Sequence, residues 1–110
     1  MDGGTEPGSE PLLTARDARG VITLTLNRPR RYNAISNDLL AALRHAIARV
    51  AADADARILV LAATGPAFSA GHDLREIIAH DTPHAQRDLF ARCSDVMTAL
   101  QSLPVPVIAK

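Results

Sequence analysis

The sequence has no tryptophan, one tyrosine and two phenylalanines. Its core therefore cannot rest on aromatic packing. A single cysteine, Cys93, excludes an internal disulfide, and no Cys/His spacing of a zinc site is present. A lone thiol points to a reducing, cytoplasmic compartment. There is no charge excess either. Twelve basic residues balance twelve acidic ones, so the chain lacks the electrostatic footprint of a nucleic-acid binder. A local basic cluster for a phosphorylated small molecule stays open. No apolar run approaches the ~20 residues of a membrane span, so neither a nucleic-acid nor a membrane partner is expected. The opening MDGGTEPGSEP has no basic region and no apolar core, unlike a secretory signal. It places Asp2, Glu6 and Glu10 before the first arginine, Arg16, unlike a transit peptide.

What is present is aliphatic. Hydrophobic residues make up 47% of the chain, mainly Ala, Leu, Val and Ile, which suits parallel strands covered by helices. The 110 residues allow one small domain. Residues 1–11, rich in Gly, Pro, Ser and Glu, read as a disordered lead-in. Residues 12–110 read as the domain.

Alternation over Val21–Asn27 predicts a strand between Gly20 and Arg28-Pro29. A short strand near Leu12–Ala15 would pair with it as a hairpin through Asp17–Gly20. Ser36 is a candidate N-cap. Leu39, Leu40, Leu43, Ile47 and Val50 then recur at helical spacing, with Arg44, His45 and Arg49 on the other face and an end near Asp53–Asp55. Ile58–Ala63 is a continuous apolar run, expected to be a strand buried on both faces. Strand, helix, strand in this order predicts a crossover with parallel strands. After a loop, Ala67–Asp73, a short helix should begin near Leu74. Thr82-Pro83 signals the next helix, with Leu89, Phe90, Cys93, Met97 and Leu100 along one side. Pro104 and Pro106 stop it, and Val105, Val107 and Ile108 open another strand.

Ligands of open α/β sheets sit beyond the carboxyl ends of strands. The Ala67–Asp73 loop follows such an end and leads into a helix, whose first N–H groups point outward and favour negative charge. One well-placed N–H on a developing oxyanion is worth about 3–4 kcal/mol in a transition state. Ala70 and Gly71 let a ligand approach the backbone. Asp73 is placed to cap the helix that follows, Asn33 to fix a turn through its side chain, and Cys93 to lie inert on an apolar stripe. His45, His80 and His84 are expected to be exposed.

Three stretches, taken in order, carry a resemblance: Asn27-Arg28-Pro29 with Asn33-Ala34, then Phe68-Ser69-Ala70-Gly71-His72-Asp73-Leu74, then Pro104-Val105-Pro106-Val107-Ile108-Ala109. Over roughly Gly20 to Lys110 the chain resembles the crotonase superfamily, the enoyl-CoA hydratase/isomerase family. Phe68–Glu76 and Leu89–Met97 further resemble its enoyl-CoA hydratase domain-containing protein 3-like subgroup. The resemblance implies a partial ClpP/crotonase-like ββα-repeat fold, α/β, with a mostly parallel sheet and flanking helices. It implies that the His72 peptide N–H is one of two that polarise an acyl-CoA thioester carbonyl. It also implies that His72, Asp73, Leu74 and Arg75 line the acyl-CoA and that Ala34 and Ala70 lie near the adenine. Arg30 and Arg75 are candidates for the coenzyme phosphates; ordinary solvated charges are the alternative. The His72 imidazole is expected to pack or meet solvent. No metal and no resident cofactor is expected, coenzyme A entering with the substrate.

The resemblance implies hydration of a trans-2-enoyl-CoA in fatty acid metabolism, or another acyl-CoA reaction of the family: isomerisation, decarboxylation or thioester hydrolysis. A non-catalytic acyl-CoA-binding protein is a second class. An unrelated small α/β regulatory domain would require three accidental matches. Family members are more than twice this length. They add a Gly-rich segment with the second N–H, two glutamates, and C-terminal helices that help build trimers. Glu76 matches neither glutamate. The chain is thus expected to be a fragment, inactive alone, with an unfinished sheet edge at Val107–Lys110, and the full-length protein a homotrimer or hexamer.

Overall fold

The structure, a computed structural model, describes residues 10–79 and 81–110. The expected lead-in lies almost wholly outside these residues, as does His80.

Strands β1 (Leu12–Arg16) and β2 (Val21–Leu26) form the expected hairpin, antiparallel, with Leu12 opposite Leu26. Asp17 shapes its turn, accepting from the N–H groups of Arg19 at 2.8 Å and Val21 at 3.1 Å. Helix α1 (Asn37–Ala52) starts at Ser36, whose hydroxyl accepts from the Leu39 N–H, one of the donors a helix start leaves unpaired. Strand β3 (Ile58–Ala63) returns parallel to β2, setting Ala63 beside Leu26. Helix α2 (Leu74–Ala79) and helix α3 (Pro83–Gln101) follow. The Thr82 hydroxyl caps α3 by accepting from Ala85 N–H at 3.0 Å. Strand β4 (Val107–Ala109) adds parallel to β3, so the sheet order is β1-β2-β3-β4.

The period-2 pattern of β2 sends Ile22, Leu24 and Leu26 into the core. There they meet Leu59 of β3, Leu39, Leu40, Leu43, Ile47 and Val50 of α1, and Leu89 and Val96 of α3.

Three expectations need correction. Strand β3 is not buried on both faces. Leu59 alone is fully buried and its neighbours are half-buried, because α1 and α3 both supply the core on one face of the sheet. On α3 the inward stripe is Leu89, Cys93, Val96 and Leu100, whereas Phe90 and Met97 are exposed. Docking against α1 selects a stripe spaced four, three and four residues, and Phe90 and Met97 each stand one position off it. Cys93 is half-buried. Finally, Val105 is outside β4; it packs half-buried against the core instead. Strand β4 has its three residues exposed at the sheet edge.

Candidate functional site

Strands β2 and β3 run parallel and in register, so both carboxyl ends open on the same side of the sheet. Two loops leave from there: residues 27–36 after β2 and residues 64–73 after β3. The first contains a 3-10 turn, Pro29–Arg31, and then two left-handed residues, Tyr32 and Asn33, both at φ 52°.

Asn33 fixes more than its own turn. It is buried, its Oδ1 accepts from Arg28 N–H at 2.7 Å, and its Nδ2 donates to the carbonyls of Thr64 at 2.9 Å and Ala67 at 3.0 Å. Ser69 answers from the other loop. Its hydroxyl donates to the Asn33 carbonyl at 2.8 Å and accepts from Gly71 N–H at 3.2 Å. Gly65 lies so close that a Cβ there would meet Pro29 Cβ at 2.5 Å. Peptide groups complete the seam. Ala70 N–H donates to Tyr32 O at 2.9 Å, Ile35 N–H to Gly71 O at 2.6 Å, and Asp73 N–H to Ile35 O at 2.7 Å.

This seam uses the N–H groups of Ala70, Gly71 and Asp73 and leaves out that of His72. Ile35 and His72 form an isolated parallel bridge. In such a bridge the N–H and C=O of His72 point away from Ile35, and the His72 N–H has no acceptor among the described residues. Gly71, at φ 92°, has no atom within 4 Å of where a Cβ would stand. The backbone here is open to an incoming molecule.

Beside it lies an open groove of about 610 Å³. It gathers all the residues singled out in the sequence: Arg30, Ala34, Ala70, His72, Asp73, Leu74 and Arg75. Arg31, Tyr32 and Ile77 line it as well and escaped the sequence reading. For Arg31 and Tyr32 the signal was an arginine and an aromatic next to Arg30 in one short loop.

The ionisable groups have defined tasks. Asp73 is buried; its Oδ1 accepts from Arg75 N–H at 3.0 Å, capping α2 as expected, and its Oδ2 lies 3.7 Å from Arg31. Glu76 accepts from Asn37 N–H at 2.8 Å, joining α2 to the start of α1, and Asn37 Oδ1 accepts from Arg92 of α3 at 3.1 Å. Arg28 pairs with Asp38 at 2.7 Å. Burial alone would raise the Asp38 carboxyl, but the Ser36 hydroxyl and the Arg28 guanidinium outweigh it and hold the group below the ordinary carboxylate range. The His72 imidazole packs edge-on to Phe90, ring centroids 4.9 Å apart, and its buried Nδ1 has no hydrogen-bond partner among the described residues. His45 and His84 are exposed, as expected. The site can therefore present one free peptide donor above a groove with arginines at its rim, and Asp73, the carboxylate that lines the groove, is already engaged.

The family model for enoyl-CoA hydratase/isomerase matches residues 16–110. Enoyl-CoA hydratase domain-containing protein 3, mitochondrial, of Rattus norvegicus is 38% identical over 104 residues, 94% of this chain and 35% of that protein. The crystal structure of an enoyl-CoA hydratase of Mycobacterium smegmatis superposes with a TM-score of 0.89 at 56% identity, over 90% of this chain and 38% of that one. Human enoyl-CoA hydratase domain-containing protein 3 gives 0.83 at 33% identity, over 90% of this chain and 39% of that one. The chain thus spans little more than a third of the length of these relatives.

Proposed function

The chain belongs to the enoyl-CoA hydratase/isomerase family, and on that premise we propose that it grips an acyl-CoA and polarises its thioester carbonyl through the His72 peptide N–H. The observation that carries this reading is the unpaired His72 N–H between neighbours whose own N–H groups are all used. A donor held by a rigid seam needs no reorganisation when charge develops on the thioester oxygen, and that is where preorganised hydrogen bonds accelerate reactions. In this reading Arg30 and Arg75 meet coenzyme phosphates, Ala34 and Ala70 admit the adenine, and His72, Asp73 and Leu74 border the acyl-thioester.

The reaction served is addition of water to a trans-2-enoyl-CoA, within fatty acid metabolism. Isomerisation and decarboxylation, through an enolate, and thioester hydrolysis, through a tetrahedral oxyanion, use the same peptide donor in the alternative readings. Hydration also needs an acid/base pair, and Asp73 and Glu76 are both committed to backbone N–H groups. The chain alone is therefore inactive in this proposal, and the whole protein acts as a cytoplasmic homotrimer or hexamer.

Amide NMR with a calorimetric titration tests the reading. Crotonyl-CoA should bind and shift the His72 amide, and coenzyme A without an acyl group should shift it less. The chain should not consume crotonyl-CoA. Absence of binding, an unmoved His72 amide, or turnover by this chain would each overturn the proposal.

A further inference from the structure

The sheet has two edges, β1 and β4. At β1, Pro11 O accepts from Asn27 N–H at 2.9 Å and Asp17 N–H donates to Val21 O at 3.0 Å. The antiparallel register alternates between these bonds, so the peptide groups of Leu13 and Ala15 turn to β2. Those of Leu12, Thr14 and Arg16 turn away from the sheet and have no partner among the described residues. The side chains of the same three residues line an open groove of about 460 Å³ between β1 and α1. Ile22, Ala46 and Val50, all buried, give it an apolar floor. Because β1 runs along the groove, Leu12 marks its aliphatic end, and Arg16, held by Asp53 at 3.0 Å, marks its charged end. His45 and Arg49, one turn apart on α1, stand exposed on the opposite wall. Neither has a hydrogen-bond or ionic partner among the described residues. None of these residues lines the groove beside His72.

An open strand edge offers main-chain hydrogen bonds, and a groove beside it takes every second side chain of an added strand. We propose that β1 and α1 form a docking site for an extended, acidic segment of a partner protein, which adds antiparallel to β1. A carboxylate of that segment meets Arg49, and its small aliphatic side chains cover the apolar floor. A second copy of β1 lacks this complement, since residues 12–16 carry an arginine and no carboxylate. The site is independent of the acyl-CoA reading.

The probe is the peptide acetyl-Glu-Thr-Val-Thr-Val-Thr-amide. Paired antiparallel, it sets its glutamate beside Arg16 and its valines beside Thr14 and Leu12. Amide NMR should show the Leu12, Thr14 and Arg16 N–H groups exchanging fast in the free chain and at least about tenfold slower at saturation. N-methylation of both valines removes ladder donors and should weaken binding at least about tenfold. N-methylation of the two threonines before the valines, whose N–H groups face away from β1, should change affinity by less than about threefold. Arg49→Glu alters an exposed side chain and should weaken the glutamate peptide at least about fivefold, and its glutamine counterpart less than about twofold. Absence of binding, or unmoved β1 amides, overturns the proposal. Equal loss in the two N-methylated peptides would show a groove ligand without strand addition and also overturns it. Equal binding of the glutamate and glutamine peptides by the parent overturns the acidic preference. A dimer in light scattering that the peptide dissolves would assign the edge to a second copy. Tighter binding by a synthetic peptide of residues 1–10 would assign it to the chain's own N-terminus. Either result overturns the partner reading.

Discussion

The Asn33 amide donates to the carbonyl of Thr64 at 2.9 Å, so one side chain from the loop after β2 holds the start of the loop after β3. Its other two bonds, to Arg28 N–H and Ala67 O, make it the point where both loops are fastened. Asn33→Ala takes the side-chain partner from three half-buried backbone groups and should cost about 2–4 kcal/mol. Asn33→Gly relieves the left-handed backbone and should still lose about 2 kcal/mol, which isolates the side-chain part. Urea unfolding of both variants checks this. A loss below about 1 kcal/mol in both would show that the peptide seam suffices.

Gly71 separates backbone strain from crowding. A Cβ there meets no atom, yet φ is 92°. Gly71→Ala should therefore fold with a loss of about 1–3 kcal/mol from conformation alone. Gly71→Val adds branches in the space beside the His72 N–H and should abolish acyl-CoA binding. Calorimetry on the folded variant decides; unchanged affinity would remove the Gly71 backbone from the site.

His72 should act through its peptide group, which survives any substitution but proline. His72→Ala forfeits the edge contact with Phe90 and also removes a buried nitrogen without a partner. The two effects oppose one another, and stability should change by less than about 1 kcal/mol. Acyl-CoA affinity should stay within about threefold, a difference of less than about 1 kcal/mol. A tenfold loss in calorimetry would give the imidazole a direct part in binding.

Acid should weaken the fold through identifiable carboxylates. Asp17 lies below the ordinary carboxylate range chiefly through its hydrogen bond from the Arg19 side chain, then from Val21 N–H. Asp53 lies below it through Asp55 N–H and then the Arg16 side chain. Asp38 joins them as described. A group whose pKa is lower folded than unfolded stabilises above its unfolded value, here 3.8, and loses that stabilisation as pH falls through the folded value. Unfolding midpoints should thus decline below about pH 4. Asp38→Asn should flatten that decline; an unchanged slope would place the linkage elsewhere.

Local signals made the fold largely legible. The alternation of β2, the Ser36 and Thr82 caps and the prolines after α3 each act within a few residues. The α3 stripe was misread because Phe90 and Met97 are as apolar as the buried residues, and only docking against α1 decides between adjacent positions. The seven residues singled out for the groove do converge on it, since motif order mirrors the parallel pairing of β2 and β3. The reach of Asn33 to Thr64 and Ala67 and the role of Glu76 at Asn37 depend on pairs far apart in sequence. No local pattern encodes either.

The hydrogen bonds of the seam between the two loops come from peptide groups, an amide and a hydroxyl, and the one long ion pair beside them joins Arg31 to Asp73 at 3.7 Å. Dissolved salt screens charges and leaves such short neutral bonds almost untouched. Raising ionic strength should thus weaken the hold of the rim arginines on a phosphorylated ligand while the groove keeps its form. Shape and charge in this site thus answer in the main to different solution variables.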